Sequence, residues 1–410
     1  MTEPDAPLVR VVVVTYQNAD LVDRCLDALA ATDWPADRLE VVVVDNASTD
    51  GTPERVSARP GVRLVRSSRN LGFGGGCNLG LRDLGGARYA ALVNSDLFVT
   101  PGWLRPLVDA LEGDRRLGAA CPKVVLEPRF AEVVLDSPTF RPGGGDPRTL
   151  GLRVTGVEVA GRDVWDRAVF ARGWSWDEGH ARWTTGRAEL WVPAGPDDEE
   201  VAVHVDGEAA ARLLPLGAER FDVVNNAGNV LTADGFGADR GWLERDRGQF
   251  DAEEDVFAWY GGCCLLSAAY LHDVGLFDEP LFLYYEDLDL AWRGRERGWR
   301  YRYVPTAVVR HRHRASTGGD EGLFDHLNHR NRLVVLTRHA GPRRALGAWS
   351  RYLWHEVGGN ARGEILQPVL RGRRPHPHHT VRRLRAAAGA ARLLARSGRP
   401  GRPGTPAARR

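Results

Sequence analysis

The sequence predicts an α/β protein whose mixed, mostly parallel sheet is flanked by helices and interrupted by a β-rich insertion. Three observations support this fold class. β-Branched runs alternate with amphipathic segments over residues 1–138, short strand patterns replace them over 139–222, and the alternation returns over 223–320. Repeated strand–helix–strand units are typical of parallel sheets covered on both faces. A chain of 410 residues also has room for two or three domains.

Apolar runs and one clear helical period predict the first half of the sheet. Strands are expected at residues 9–16, 39–45, 62–67, 88–94 and 118–126. Apolar residues recur at helical spacing between the first two strands, at Leu21, Val22, Cys25, Leu26 and Leu29. A further helix is expected from Pro101, because proline is tolerated near the first helical position.

Residues 139–222 carry short strand patterns separated by frequent turn signals, which predicts an antiparallel, sandwich-like insertion. Five of the thirteen tryptophans fall between positions 165 and 191. Two interpretations stay open for them: packing within the insertion, or stacking on sugar rings. Residues 321–398 are expected to form C-terminal helices with a basic tail, and 399–410 a disordered end.

Charge is distributed unevenly along the chain. The net charge is +1, yet residues 371–410 contain twelve arginines and no acid, so residues 1–370 carry about −11. A basic tail suits an anionic partner, and we expect peripheral contact with a membrane surface rather than nucleic acid; a solubilising end is the alternative. The five scattered cysteines form no CxxC pair, and the N-terminus lacks a signal-peptide pattern. These features predict a cytoplasmic protein, with the inner membrane face as its contact surface.

Polar residues follow three of the predicted strands where each strand ends. They are Thr15-Tyr16-Gln17-Asn18, Asp45-Asn46-Ala47-Ser48 and Asn94-Ser95-Asp96. Each segment alone is also good turn chemistry. Because ligands of open α/β sheets bind at the carboxyl ends of the strands, three such segments at one edge predict a binding site.

Five segments, in this order, resemble an inverting family 2 glycosyltransferase of the GT-A fold, and in particular its rhamnosyltransferase-like branch. They are VVVVTYQNADLVDRCLDAL, VVVVDNASTDGT, RNLGFGGGCNLGL, ALVNSDLFV and LYYEDLDLAWRGRERGWRYRYVP. The resemblance covers about residues 8–138 and 223–316. It implies a nucleotide-diphosphate sugar donor, a divalent cation, inversion at the anomeric carbon and a place in polysaccharide biosynthesis.

The resemblance assigns the donor nucleotide to the strand ends. It implies that Asp45 contacts the base, that Thr15 and Tyr16 line the base and ribose, and that the glycine-rich segment 70–76 lies beneath the sugar and diphosphate. The glycines are expected to let the backbone approach a ligand closely. The donor-binding candidates are Thr15, Tyr16, Asn18, Asp45, Asn46, Asn70, Gly72, Asn94 and Ser95.

The expected cation is Mg²⁺ or Mn²⁺, bound by Asp96 and His311, with His313 as a reserve ligand. The family has a D-x-D-type motif where this chain has Asn94-Ser95-Asp96, so one carboxylate is missing. Hard cations prefer oxygen ligands, and donor phosphates supply several. We therefore expect weak metal binding before the donor arrives, which puts a strict metal requirement in doubt.

The resemblance places the catalytic base at Asp287 and the acceptor near Trp259, Gly261, Gly262 and Glu286. A carboxylate is needed to take the proton of the attacking hydroxyl, and burial in the aromatic segment before Asp287 would raise its pKa. Glu286 has an alternative role, as an acid that complements the helix dipole.

Other readings of the same residues stay open. A glycoside hydrolase would also use paired carboxylates such as Asp96 and Asp287, and a nucleotidyltransferase would use strand-end acids. A non-catalytic carbohydrate-binding protein fits the tryptophan-rich insertion. The donor is expected to be a dTDP- or UDP-sugar, with rhamnose, galactofuranose and hexoses as candidates. The acceptor is expected to be a hydroxyl of a glycan, a lipid-linked sugar or a natural product.

Overall fold

The computed structural model describes residues 6–143, 146–175, 178–179, 181–232, 237–312, 321–371 and 374–396. Within these ranges the strands are β1 (Val9–Thr15), β2 (Leu39–Asp45), β3 (Val62–Arg66), β4 (Tyr89–Val93), β5 (Leu97–Val99), β6 (Leu117–Leu126), β7 (Phe130–Leu135), β8 (Arg153–Val159), β9 (Arg162–Asp163), β10 (Val169–Trp174), β11 (Arg182–Pro193), β12 (Glu200–Val205), β13 (Arg212–Pro215), β14 (Val224–Asn226), β15 (Asn229–Leu231), β16 (Gly237–Asp239), β17 (Glu254–Val256), β18 (Cys263–Ser267) and β19 (Arg300–His311).

The α-helices are α1 (Val22–Ala30), α2 (Thr52–Ser57), α3 (Gly72–Leu81), α4 (Leu104–Gly113), α5 (Ala268–Val274), α6 (Glu286–Glu296), α7 (Glu321–His339), α8 (Pro342–Arg351), α9 (Gly359–Ala361), α10 (Gln367–Leu370) and α11 (His378–Arg396). Two π-helical segments, Tyr352–Gly358 and Arg362–Leu366, join α8, α9 and α10 end to end.

The central sheet mixes parallel and antiparallel strands. Its main path is β17-β19-β6-β18-β4-β1-β2-β3, with β14 beside β6 and β5 beside β19. β1 pairs in parallel with β2 and β4, and β2 pairs in parallel with β3. β18 runs antiparallel between β4 and β6. The predicted mixed sheet is confirmed, and the five strands expected in the first half correspond to β1, β2, β3, β4 and β6.

Two hydrophobic cores cover the faces of this sheet, because successive side chains of a strand point to opposite sides. Val11 and Val13 of β1 lie in one core with α1 and α4. Val12 lies in the other, with α3, α5, α6 and α7. α4 begins at Leu104, so Pro101 lies in the preceding turn rather than at the first helical position.

The insertion folds as a seven-stranded antiparallel sheet built from β7 to β13. Inward side chains of β7, β8, β11 and β12 share one core, which makes the insertion sandwich-like. The sheet already begins at Phe130, ahead of the expected boundary at 139. Trp165 and Trp174 each pack edge-on against Phe170, with ring centroids 4.9 Å apart, as the packing interpretation requires. Trp176 lies outside the described residues.

The C-terminal helices form a bundle in which α11 packs on α7 through Ala386, Ala387 and Ala390. Among the described residues, no helix is both long enough and apolar enough to cross a bilayer. The end expected to be disordered, 399–410, lies outside the described residues.

Candidate active site

The polar ends of β1, β2 and β4 come together at one edge of the sheet, as predicted. Thr15 and Asp45 are register partners at the ends of β1 and β2, and both are buried. Asn18 Nδ2 donates a 2.7 Å hydrogen bond to Ser95 Oγ, which joins the segment after β1 to the turn after β4. We call this edge the strand-end cleft.

Asp45 organises the turn that follows its own strand. Its carboxylate oxygens accept the N–H of Ser48 at 3.2 and 3.3 Å, and Ser48 Oγ accepts the N–H of Gln17 at 3.0 Å. The neighbouring Tyr16 ring is exposed. Asp45 thus holds two strand-end segments together, and its contact with a nucleotide base stays a prediction.

Asn46 and Asn70 hold the glycine-rich segment in place. Asn46 Oδ1 accepts the N–H of Leu71 and Asn46 Nδ2 donates to Gly72 O, each at 2.9 Å. Asn70 Oδ1 accepts the N–H of Gly72 at 2.8 Å. Both ends of the Asn46 amide bind the protein's own backbone, and its contact with a donor stays a prediction.

The glycines of α3 allow close packing within the protein. Gly72 has a φ of +74°, and a Cβ there would lie 2.2 Å from Phe282 O. A Cβ at Gly76 or Gly80 would lie 2.7 or 2.5 Å from a methyl group of Val14 or Val12. The expectation that these glycines make room for a ligand therefore needs correction, since the atoms they face belong to β1 and to the loop before α6.

Asp96 and His311 meet at the bottom of the cleft. Both are buried, and Asp96 Oδ1 lies 3.5 Å from His311 Nε2. The pairing of β5 with β19 brings them together, because His311 is the register partner of Leu97. His311 Nδ1 is hydrogen-bonded to Asn225 Oδ1, so Nδ1 carries the proton and Nε2 faces the carboxylate.

This pair fits part of a cation site. A histidine that donates one ring N–H to an amide oxygen and turns its other nitrogen to a carboxylate has the usual orientation of a metal ligand. No group of three or more candidate ligands occurs in the described part of the chain, so further ligands would have to come from elsewhere. The reserve ligand His313 lies outside the described residues.

Asp287 lies in the first turn of α6, where backbone N–H groups approach its carboxylate. Gly261 N–H donates to Oδ2 at 3.1 Å and Leu288 N–H to Oδ1 at 2.7 Å. Burial raises the pKa of Asp287 to about 6, with a further contribution from the charge of Asp239, although the two N–H groups oppose the shift. A carboxylate with this pKa is ionised near neutral pH and still accepts a proton readily.

Glu286 and Trp259 do not offer surface to an acceptor. Glu286 is buried with its Cγ against Gly74, and burial followed by the charge of Asp287 raises its pKa to about 8. Trp259 is fully buried, edge-on to Phe277 at 6.0 Å. The predicted acceptor contacts of both residues are therefore wrong for this structure, because each side chain fills the core between the sheet and its helices.

Gly261 and Gly262 serve the site through the protein's own packing, which corrects their assignment to the acceptor. A Cβ at Gly261 would lie 2.9 Å from Asp287 Oδ2, and one at Gly262 would lie 2.5 Å from the Tyr260 ring. Gly262 O accepts the N–H of Asn94 at 2.8 Å. Two adjacent glycines thus connect the turn that carries Asp96 with the carboxylate of Asp287.

Tyr260 is buried near three acidic side chains. Burial first, and then the charges of Asp239, Asp96 and Asp287, raises the pKa of its phenol. Asp239 was not singled out from the sequence; its Oδ1 accepts a 2.7 Å hydrogen bond from Asn226 Nδ2. Asn225 and Asn226 were missed as well, because an Asn-Asn pair before Ala-Gly reads as an ordinary turn.

The loop before Asp287, residues 281–285, is held by a residue that the sequence did not reveal. We call it the aromatic loop. Its residues Phe282, Tyr284 and Tyr285 have φ values of +69°, +67° and +68°, a region that bulky residues rarely adopt. Asn331 of α7 is fully buried, and its Nδ2 lies 2.7 to 2.9 Å from the carbonyl oxygens of residues 281, 283 and 284. These bonds offset part of the strain of the loop.

Comparisons with known proteins agree with this architecture. Residues 10–147 match the model of Glycosyl transferase family 2. The chain is 27% identical over 353 residues to the N-acetylglucosaminyl-diphospho-decaprenol L-rhamnosyltransferase of Mycobacterium tuberculosis, covering 83% of this chain and 88% of the relative. It is 39% identical over 105 residues to the succinoglycan biosynthesis protein ExoO of Rhizobium meliloti, covering 25% of this chain and 29% of that protein.

Among solved structures, the crystal structure of GalNAc-T7 with UDP, GalNAc and Mn²⁺ superposes with a TM-score of 0.50 at 13% identity. The match covers 88% of this chain but only about half, 52%, of GalNAc-T7, and at this identity it supports the fold alone. The family model and the M. tuberculosis relative are both named as glycosyl or rhamnosyl transferases, so they give no support to the hydrolase and non-catalytic readings. Residues 10–147 therefore resemble a family 2 glycosyltransferase domain, most of the chain is similar to a rhamnosyltransferase, and these findings support a glycosyltransferase of the GT-A fold.

Proposed function

We propose that the protein transfers a sugar from a nucleotide-diphosphate donor to a hydroxyl of a lipid-linked glycan, with inversion at the anomeric carbon. dTDP-rhamnose is the first candidate donor. Two points support this choice. The M. tuberculosis relative, which aligns over most of both chains, is named N-acetylglucosaminyl-diphospho-decaprenol L-rhamnosyltransferase. The side chains of Asp287, Asp96 and His311 have the chemistry that such a transfer needs.

The observation that carries the proposal is the position of Asp287. Its carboxylate is held by Gly261, and the next residue, Gly262, is bonded to the turn of Asp96. The proposed base and the residues proposed to bind the diphosphate therefore lie on either side of Gly261 and Gly262. An inverting transfer needs such an arrangement, because the hydroxyl must attack from the side opposite the departing diphosphate.

In the proposed reaction, the acceptor O–H proton moves to the Asp287 carboxylate as its oxygen bonds to the anomeric carbon. The bond between that carbon and the phosphate oxygen breaks, and its electron pair stays on the diphosphate. Glu286 is buried with its side chain against Gly74, and burial together with the charge of Asp287 raises its pKa, so Asp287 rather than Glu286 is the proposed base. Gly261 N–H and Leu288 N–H fix the orientation of the Asp287 carboxylate.

Asp96 and His311 would hold a divalent cation, Mg²⁺ or Mn²⁺, together with oxygens of the donor diphosphate. When bound, the cation supplies positive charge to the leaving group. The donor nucleotide would lie over the strand ends, with Tyr16 as its exposed aromatic surface and Asp45 at the base edge. We also place the protein in a reducing cytoplasm, because all five cysteines are buried free thiols.

The test is a panel of dTDP-rhamnose, UDP-galactofuranose and UDP-hexoses, each with Mn²⁺. Thermal unfolding identifies the donor that stabilises the protein, and NMR of the product made on a synthetic polyprenyl-diphosphate N-acetylglucosamine gives the anomeric configuration. We expect one donor to raise Tm and to be transferred with inversion. Retention of configuration, or consumption of the donor at an equal rate without acceptor, would contradict the proposal.

A further inference from the structure

The segment from α8 to α10, Pro342–Leu370, is a continuous helical rod on the outside of the C-terminal bundle. Its inner face is tied to the protein. Ala345, Ala348 and Tyr352 are buried, and the Tyr352 hydroxyl donates to Arg383 O of α11 at 3.0 Å. The rod is therefore fixed along one side and open along the other.

The open side carries an unusual concentration of apolar side chains. Six of the thirteen exposed large hydrophobic residues of the described chain lie on this rod: Leu346, Leu353, Trp354, Leu366, Val369 and Leu370. Trp354 and Leu370 are 78% and 76% exposed. Single exposed apolar residues are ordinary, but a concentration of them on one helical segment is typical of an interaction surface.

The same side is positively charged. The exposed arginines of the rod, Arg343, Arg344, Arg351 and Arg362, form no ion pair with any residue that the structure describes. The two acids of the rod turn inward instead. Glu356 Oε2 lies 3.3 Å from Arg383 Nε, and Glu364 accepts the N–H groups of His379 and Thr380 at 2.9 and 2.8 Å. No carboxylate of the rod therefore offsets the arginines on its outer side.

We propose that the outer side of this rod docks on an anionic lipid bilayer. A helix with tryptophan and leucine on one side and arginines beside them lies in the plane of a bilayer interface, where the apolar groups enter the acyl boundary and the guanidinium groups meet lipid phosphates. The unpaired arginines favour a bilayer over a second copy of this side, since two copies would bring like charges together. The proposal goes beyond the transfer reaction and does not depend on it.

This assignment differs from the one that the sequence suggested, which put membrane contact in the basic tail, residues 371–410. The helix of that tail, α11, is a packed element of the fold. Arg383 pairs with Asp325 and Glu356, and three alanines of α11 pack on α7. Removing the whole tail would therefore damage the bundle, whereas removing only residues 397–410 leaves every described helix intact.

The test uses the full chain and co-sedimentation with vesicles of phosphatidylcholine containing about a third phosphatidylglycerol. The variant Trp354→Gln/Leu370→Gln should lower vesicle binding at least about tenfold, because both groups that enter the acyl boundary are lost. The matched control is Leu213→Gln, an exposed leucine of the insertion. It should bind like the unmodified chain, and so should the chain truncated after Arg396.

Both side chains of the double variant are exposed, so its Tm should match that of the unmodified chain. Its transfer to a short-chain, water-soluble acceptor should also be unchanged, which separates a failure of docking from a failure of the proposed reaction. Binding by the double variant equal to that of the unmodified chain overturns the proposal. Loss of vesicle binding on truncation after Arg396 also overturns the proposal. A third contradicting result would be an unmodified chain that binds no vesicles but forms a dimer, which the double variant converts to a monomer.

Discussion

Replacing Asp287 with asparagine separates catalysis from binding and folding. Asparagine keeps the shape of the side chain but cannot take a proton, so kcat should fall about a thousandfold. Donor affinity should stay unchanged, because Asp287 contacts Gly261 and Leu288 rather than the strand ends proposed to bind the donor. In the unmodified enzyme kcat/KM should rise tenfold per pH unit up to about pH 6 and then level off, because the ionised carboxylate is the active form.

The same substitution should stabilise the fold above neutral pH. The pKa of Asp287 rises from 3.8 to about 6 on folding, so the folded state holds the proton more tightly than the unfolded state. The resulting stability is fully present below pH 3.8 and is lost as the pH rises through 6. At about 1.4 kcal/mol per pKa unit, the ionised group costs about 3 kcal/mol. Asparagine offers one acceptor oxygen instead of two, so the net gain should be about 1 to 2 kcal/mol.

The assay combines urea unfolding at about pH 4 and about pH 8 with donor calorimetry and a pH–rate profile. The matched control is Asp109→Asn, which makes the same chemical change on the exposed side of α4. The control should leave rate and stability unchanged at both pH values. Full activity in Asp287→Asn, or a gain in stability that is the same at both pH values, would refute the assignment of Asp287 as a buried general base.

Three further substitutions probe the rest of the site. Asp96→Asn should weaken donor binding, measured by calorimetry, at least about tenfold in Mn²⁺ but leave it unchanged in EDTA. His311→Gln should show the same pattern of donor affinities. An equal loss of affinity in both buffers would argue against a cation site. Asn331→Leu removes three hydrogen bonds to the aromatic loop, so kcat should fall at least about tenfold while donor affinity stays the same. A normal kcat together with a lower Tm would show that Asn331 has only a structural role. Gly261→Ala should reduce kcat, because its Cβ would lie 2.9 Å from Asp287 Oδ2. The control Gly359→Ala should not reduce kcat, because its Cβ would have no neighbouring atom within 4 Å. Equal activity of the two variants would contradict the packing argument.

The sheet was predictable because its signal is local. Runs such as VVVV at 11–14 and 41–44 have the β-branched composition of buried strands, and their polar ends fall at one edge as soon as the strands pair in parallel. The family resemblance implied that Asp96 and His311 lie together, although the pairing of β5 with β19 that brings them together could not be read from the sequence.

The acceptor residues were less predictable, because burial depends on tertiary contacts. Nothing near Trp259 in the sequence shows that its ring meets Phe277, or that Glu286 lies against Gly74. The glycines of α3 were expected to let the backbone approach a ligand, but the sequence alone could not show that the atoms they face belong to Val12 and Val14. Asn331 gave no signal, since a single asparagine within a helix is common and its partners lie on another element.

The helix that carries Asp287 is tied to the C-terminal bundle at two points. Asn331 holds the aromatic loop, and Asp289 of α6 meets Arg338 and His339 of α7 at 3.2 and 3.0 Å. Burial alone would raise the pKa of Asp289, but the hydrogen bond from His339 and the charge of Arg293 lower it to about 2, so this anchor stays charged over the working pH range. Because α7 also packs on α8 and α11, the proposed base Asp287 and the proposed docking side belong to one connected bundle. Contact of the rod with a bilayer would therefore fix the orientation of the base relative to a lipid-linked hydroxyl.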